Sequence, residues 1–167
     1  MAVVDPATEE LYMPSRWVKR VRSEEVCTLH VQVTSELSRK SRNMPQARLG
    51  VSTGPDSSDV VDIFNEAGIS SSIVVYVSGG YWLDLSGDIS AYTVQPLVAH
   101  GHTVVVVHYD RAPTQTFTQI MQQVNRSIEW IVEYAQRTKK KIWLSDEGTI
   151  AASCLETQQL LYKYVED

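Results

Sequence analysis

The sequence predicts an α/β fold, a mostly parallel sheet with flanking helices behind an N-terminal helical segment. Three observations carry that reading. Two short apolar runs rich in β-branched residues, 73–77 and 104–107, have the composition of strands covered on both faces. Between them lies a helical stretch of the kind that links parallel strands through a right-handed crossover. After the second run, residues 116–137 place Ile120, Met121, Val124, Ile128, Ile131, Val132 and Ala135 on one helical stripe.

Composition narrows the class. With 167 residues and 43% apolar content the chain can bury one sizeable core, so one domain is expected over 1–167. Residues 1–45 read as the helical segment and 46–167 as the sheet with its helices. The net charge of -5 and the scattered basic residues argue against nucleic acid or a membrane surface as partner. Lys139, Lys140 and Lys141 suit a solvated helix end. Cys27 and Cys154 stand far apart with no metal-ligand spacing, which points to a reduced compartment and no metal. No basic-then-apolar leader opens the chain and no run is long enough to span a membrane, so a cytoplasmic protein is expected.

In order, residues 9–17 form a short amphipathic opening broken by Pro14. A helix is expected over 23–40, started by Ser23, Glu24 and Glu25 and turning Val26, Leu29, Val33 and Leu37 inward. His30 on it has no ligand partner at metal spacing. Residues 39–45 read as a linker, and 48–52 with 59–64 as a hairpin turned by Thr53-Gly54-Pro55-Asp56. A polar loop, 65–71, leads into the first buried strand. Beyond it, Asp88 is the expected N-cap of a helix carrying Ala91, Val94, Leu97 and Val98, closed by Gly101. The second buried strand covers 103–109; at its end His108 and Tyr109 alternate, and simple packing of both is the main expectation, with one of them facing a cleft as the alternative. Asp110-Arg111-Ala112-Pro113 is a turn. Residues 141–144 read as a strand, 145–148 as a turn and 149–165 as a final helix with Ile150, Cys154, Leu160, Leu161 and Val165 inward. No internal repeat is present.

Chemistry concentrates where the strand at 73–77 ends on Ser78, Gly79 and Gly80. Glycine leaves main-chain N–H groups uncovered by any Cβ, and the carboxyl end of a parallel strand is where α/β folds place ligands. Such a turn suits an anion or a developing oxyanion, and Tyr81 with Trp82 would wall an aromatic substrate. The same residues also suit a plain strand-to-helix connection whose rings pack inward. A nucleotide-binding reading fits less well, because the glycines lack Gly-x-Gly-x-x-Gly spacing.

Several segments together resemble the kynurenine formamidases, also called arylformamidases, of the α/β-hydrolase fold. They are Pro14-Ser15-Arg16-Trp17-Val18, Val61-Asp62-Ile63, Gly79-Gly80-Tyr81-Trp82, Ser90-Ala91 with Pro96-Leu97, Tyr109-Asp110 with Ala112-Pro113, and Gln123-Val124 with Arg126-Ser127. The likeness is to the N-terminal part of that family. It implies a partial α/β-hydrolase fold, truncated after the strand that precedes the nucleophile elbow. The implied chemistry is hydrolysis of a small aromatic formamide, N-formyl-L-kynurenine, to kynurenine and formate, without metal or organic cofactor. The implied oxyanion hole is Gly79 and Gly80, with Tyr81 and Trp82 against the substrate.

Two departures bear on activity. Ser78 stands where the family loop begins with histidine. Direct alignment puts Gly148 at the nucleophile position, in Ser145-Asp146-Glu147-Gly148-Thr149, so no catalytic residue of the family's serine, acid and histidine triad is matched. The expectation is a chain that hydrolyses little, or alternatively a non-catalytic binding module that keeps the oxyanion loop. A sheet open at one edge further implies an isolated chain that is either marginally stable or self-associates through that edge.

Overall fold

The computed structural model describes residues 5–80 and 82–146. Strands β1 (Ala47–Ser52), β2 (Val60–Phe64), β3 (Ser72–Val77), β4 (Thr103–Val107) and β5 (Lys141–Asp146) form one five-stranded sheet in the order β1-β2-β4-β3-β5. β3 lies parallel to both β4 and β5, whereas β2 runs antiparallel to β1 and to β4. The sheet is therefore mixed. Only β2 runs against the common direction, which refines the expected mostly parallel arrangement.

The unbroken apolar character of β3 and β4 follows from cover on both faces. Ile73, Val75 and Val77 of β3 and Val105 and Val107 of β4 pack with Val124, Ile128, Ile131, Tyr134 and Ala135 of helix α5 (Phe117–Thr138). Tyr76, Val104 and Val106 point the other way and join Phe64, Ala91 and Val94. Each such aliphatic side chain, fully removed from water, contributes about 1.5–3 kcal/mol. α5 begins with a reciprocal cap in which Thr116 N donates to Gln119 Oε1 at 2.9 Å and Gln119 N donates to Thr116 Oγ1 at 3.4 Å. It ends on Lys139 in the left-handed region.

Four expectations change. The first concerns the N-terminal helices, where α1 (Pro6–Tyr12) buries nothing and the next long helix, α2 (Val26–Arg42), is preceded by a 3₁₀ turn over Ser23–Glu25. The buried residues of α2 are Thr34, Ser38 and Ser41, while Leu29 and Val33 are 41% and 46% exposed. α2 lies against the short α3 (Gly87–Ser90) and a 3₁₀ turn, Ala91–Thr93, and small side chains let the helices approach closely. The hydroxyls of Thr34 and Ser41 donate back to the carbonyls of His30 and Leu37 at 2.8 and 3.1 Å, so they enter the interior already hydrogen-bonded.

Second, the helix expected after Asp88 is broken into α3, the 3₁₀ turn and α4 (Val94–Ala99). Ser86 occupies the N-cap and Asp88 instead reaches Arg42 at 3.1 Å. Pro96 has no N–H for the carbonyl four residues back, which is consistent with a restart at Val94. Third, Ser145 and Asp146 belong to β5 rather than to a turn, because they continue the ladder opposite Tyr76 and Val77. Fourth, Lys140 is not merely solvated: its ammonium donates to the Gly68 carbonyl at 3.0 Å and to Thr103 Oγ1 at 2.7 Å. The helix expected over 149–165 lies outside the described residues.

Candidate active site

β3, flanked by β4 and β5, is the central strand of the parallel part of the sheet, and its carboxyl end runs directly into Ser78, Gly79 and Gly80. Ser78 and Gly79 are buried and Gly80 is half-buried. Gly80 has φ +106°, a conformation that L side chains rarely adopt, and its carbonyl accepts from Leu83 N and Asp84 N at 3.0 Å each. A Cβ at this position would stand 2.2 Å from the Asp84 carbonyl oxygen. The chain thus folds back on itself immediately after the second glycine, and only glycine fits there.

The turn is held from the segment that follows β4, which ends at Val107 and not at the expected 109. The Tyr109 hydroxyl donates to the Ser78 carbonyl at 2.6 Å, with the Gly79 carbonyl 3.1 Å away. Ala112 N donates to the Trp82 carbonyl at 2.8 Å, and the Arg111 guanidinium donates to the Leu85 carbonyl. Trp82 and Leu85 both sit at positive φ, 61° and 58°. Non-glycine residues there cost on the order of 1 kcal/mol each, and the ties to 109–112 are what maintain them. The Trp82 ring is half-buried and meets Phe117 edge-on with centroids 5.1 Å apart. Phe117 is 50% exposed and Leu83 67%, so apolar surface adjoins the glycine turn. Tyr81 and Gly148, the other expected site residues, lie outside the described residues.

On the opposite face of the sheet a second polar constellation centres on Asp62, which is only 1% exposed. Its carboxylate accepts from Gly50 N at 2.8 Å and from the Arg42 guanidinium, and His108 Nε2 lies 3.0 Å from Oδ2. Burial opposes ionisation of this carboxyl, but the hydrogen bond and charge of His108, the Gly50 N–H and the Arg42 charge together hold it below its ordinary value of 3.8. Gly87 leaves the room for the imidazole: a Cβ there would meet His108 Nδ1 at 2.3 Å. A third network ties the hairpin to α5, with Arg126 donating to both Asp59 and Asp56, and Gln123 Nε2 donating to Ser58 and Asp110.

Strand alternation therefore separates the two residues between which the sequence left the cleft position open. Tyr109 packs with the α5-facing cluster and bonds the glycine turn, whereas His108 turns to Asp62 on the other face. Sequence reasoning placed no carboxylate near His108. The available signal was a lone aspartate inside the apolar run Val60-Val61-Asp62-Ile63-Phe64, since a charge buried in a strand requires a partner. Among the described residues no group of three or more His, Cys, Asp or Glu is arranged to hold a metal ion, and no helix is long and apolar enough to cross a membrane.

No family model matches the chain. Two curated proteins named kynurenine formamidase, from Salmo salar and Danio rerio, are 31% and 32% identical to it over 127 and 124 residues. These alignments cover 75% and 73% of this chain but 43% and 42% of the relatives, so the chain spans less than half their length. The esterase of Pyrobaculum calidifontis superposes with a TM-score of 0.62 at 14% identity, covering 99% of this chain and 55% of the esterase. That likeness speaks for the fold, and the sequence matches speak for descent. Strand order, glycine turn and matches agree that the chain is a relative of the kynurenine formamidases with a partial α/β-hydrolase fold.

Proposed function

We propose that the chain carries the oxyanion arm of a kynurenine formamidase-type hydrolase, whose substrate is N-formyl-L-kynurenine and whose products are kynurenine and formate. The observation behind this reading is the Gly79–Gly80 turn at the carboxyl end of β3, pinned by Tyr109 and bordered by Trp82 and Phe117. Attack on a formamide carbonyl drives negative charge onto its oxygen. Fixed main-chain N–H groups stabilise that charge without reorganising, and removing one such donor costs about a hundred- to a thousandfold in turnover. The apolar surface at Trp82, Leu83 and Phe117 suits the aromatic ring of the substrate.

The chain itself is expected to be nearly silent as a catalyst. Gly148 aligns with the nucleophile position and has no side chain to attack the carbonyl. Loss of a triad nucleophile costs on the order of a millionfold, more than an intact oxyanion turn restores. Purified chain incubated with N-formyl-L-kynurenine and followed by kynurenine absorbance should stay within a few-fold of the buffer rate. Turnover of about 1 per second or faster, an ordinary enzymatic rate, would overturn the silence.

Gly148 also favours a second reading, a non-catalytic module that binds through the retained turn. Calorimetry separates the two. Heat on adding kynurenine or formate supports binding without chemistry, and the absence of heat with kynurenine, its formyl derivative and formate removes that module.

A further inference from the structure

We infer that Tyr109 is a positioning residue that aims the two glycine N–H groups at one point, an inference that rests on the oxyanion reading of Gly79 and Gly80. In a planar trans peptide the N–H points opposite to the C=O of the same unit. The Ser78 carbonyl and the Gly79 N–H share one peptide, and the Gly79 carbonyl and the Gly80 N–H share the next. Among the described residues the cis bond is at Ala112–Pro113, so both of these peptides are trans.

The Tyr109 oxygen lies 2.6 Å from the first carbonyl oxygen and 3.1 Å from the second. Two successive carbonyls gathered on one hydroxyl place both N–H groups on the side away from Tyr109. Successive amides aimed the same way form a concavity suited to a single anionic oxygen. A hydroxyl has one proton, so the shorter bond to Ser78 takes most of it and the Gly79 contact is the weaker arm of a shared bond. The ring packs against the α5-facing core, which fixes the height at which the hydroxyl is presented. Tyr109 acts through the main chain of the turn, from a position 30 residues away from Gly79.

Residual dipolar couplings of the ¹⁵N-labelled full chain test this directly, because they report the orientation of each N–H vector. Tyr109→Phe is expected to reorient or average the Gly79 and Gly80 vectors while those of β3 and β4 keep their values. Unchanged couplings at both glycines overturn the inference. Formate serves as the anion probe: it should shift the Gly79 and Gly80 amides of the unsubstituted chain, and Tyr109→Phe should weaken its binding about five- to tenfold. Equal affinity in the two proteins also overturns the positioning role. If formate moves neither amide in the unsubstituted chain, the oxyanion reading fails, while the couplings still decide what Tyr109 does. Should Tyr109→Phe not fold, a deuterium isotope shift on the Ser78 carbonyl carbon of the unsubstituted chain supports the hydroxyl bond, and its absence refutes it.

Discussion

Asp62 and His108 meet at the end of the β2–β4 pairing, Nε2 to Oδ2 at 3.0 Å, beside the apolar core of the sheet. Arg42 closes the carboxylate from α2 and in turn reaches Asp88 at 3.1 Å, so one buried charge joins strand, helix and the start of α3. The folded value of the Asp62 carboxyl lies below the ordinary 3.8. Its contribution is thus fully present above about pH 5 and is lost as pH falls through the folded value. Asp62→Asn should cost about 3 kcal/mol at pH 7, because Arg42 loses its buried partner. It should also flatten the acid side of the stability profile. Urea denaturation between pH 2.5 and 7 checks both, and parallel acid limbs in the two proteins would contradict the assignment.

Gly87→Ala should displace the imidazole, since the new methyl would meet His108 Nδ1 at 2.3 Å. Overpacking of this kind costs about 1–3 kcal/mol. If the imidazole is what the methyl strikes, the loss shrinks when His108→Ala is already present. A double-mutant cycle with additive losses would place the collision elsewhere.

Two glycine-to-alanine substitutions at positive φ should differ in size. Gly50→Ala, with φ +65° and open space around its Cβ, faces only the backbone penalty of about 1 kcal/mol. Gly80→Ala adds a collision with the Asp84 carbonyl at 2.2 Å and should cost about 2–4 kcal/mol. Thermal denaturation that ranks them in the opposite order would show that the turn after β3 relaxes freely.

Tyr134 is pushed up to about 12, first by burial and then by the charge and hydrogen bond of Glu66, whose Oε1 accepts from the phenol at 3.2 Å. A phenol raised above its ordinary 10 stabilises the fold below that value, and the contribution is lost as pH rises through about 12. Absorbance titration of the chain against Tyr134→Phe should assign the latest-ionising phenol to this position. A difference spectrum with a midpoint near 10 would reject it.

What the sequence made legible follows from how local each signal is. Residues 73–77 and 104–107 read correctly because strands covered on both faces must be continuously apolar, and the turn at Thr53-Gly54-Pro55-Asp56 announced the hairpin from four adjacent residues. α2 was assigned the wrong inner face. Helical periodicity locates hydrophobic side chains, but Thr34, Ser38 and Ser41 were selected by close approach to α3, and no pattern within α2 encodes that neighbour. The glycine turn is legible from the end of its strand, whereas the hydroxyl that holds it arrives from the segment after β4, 31 residues beyond Ser78. The side-chain partners of Asp62 are hidden for the same reason, Arg42 lying well before it in the chain and His108 well after.

The strand order also governs how the chain emerges during synthesis. β3 is flanked by β4 and β5, and both are translated after it. When Val77 leaves the ribosome, the β1–β2 hairpin has its own two strands to pair, while β3 has neither neighbour until Thr103 and then Lys141 follow. A nascent chain paused between these points exposes a strand of Ile, Val and Tyr with one or both edges unclaimed, the kind of segment that chaperones engage and that neighbouring polysomes entangle. Ribosome-bound chains stalled at successive lengths should therefore gain protease resistance in two steps, one after residue 107 and one after residue 146.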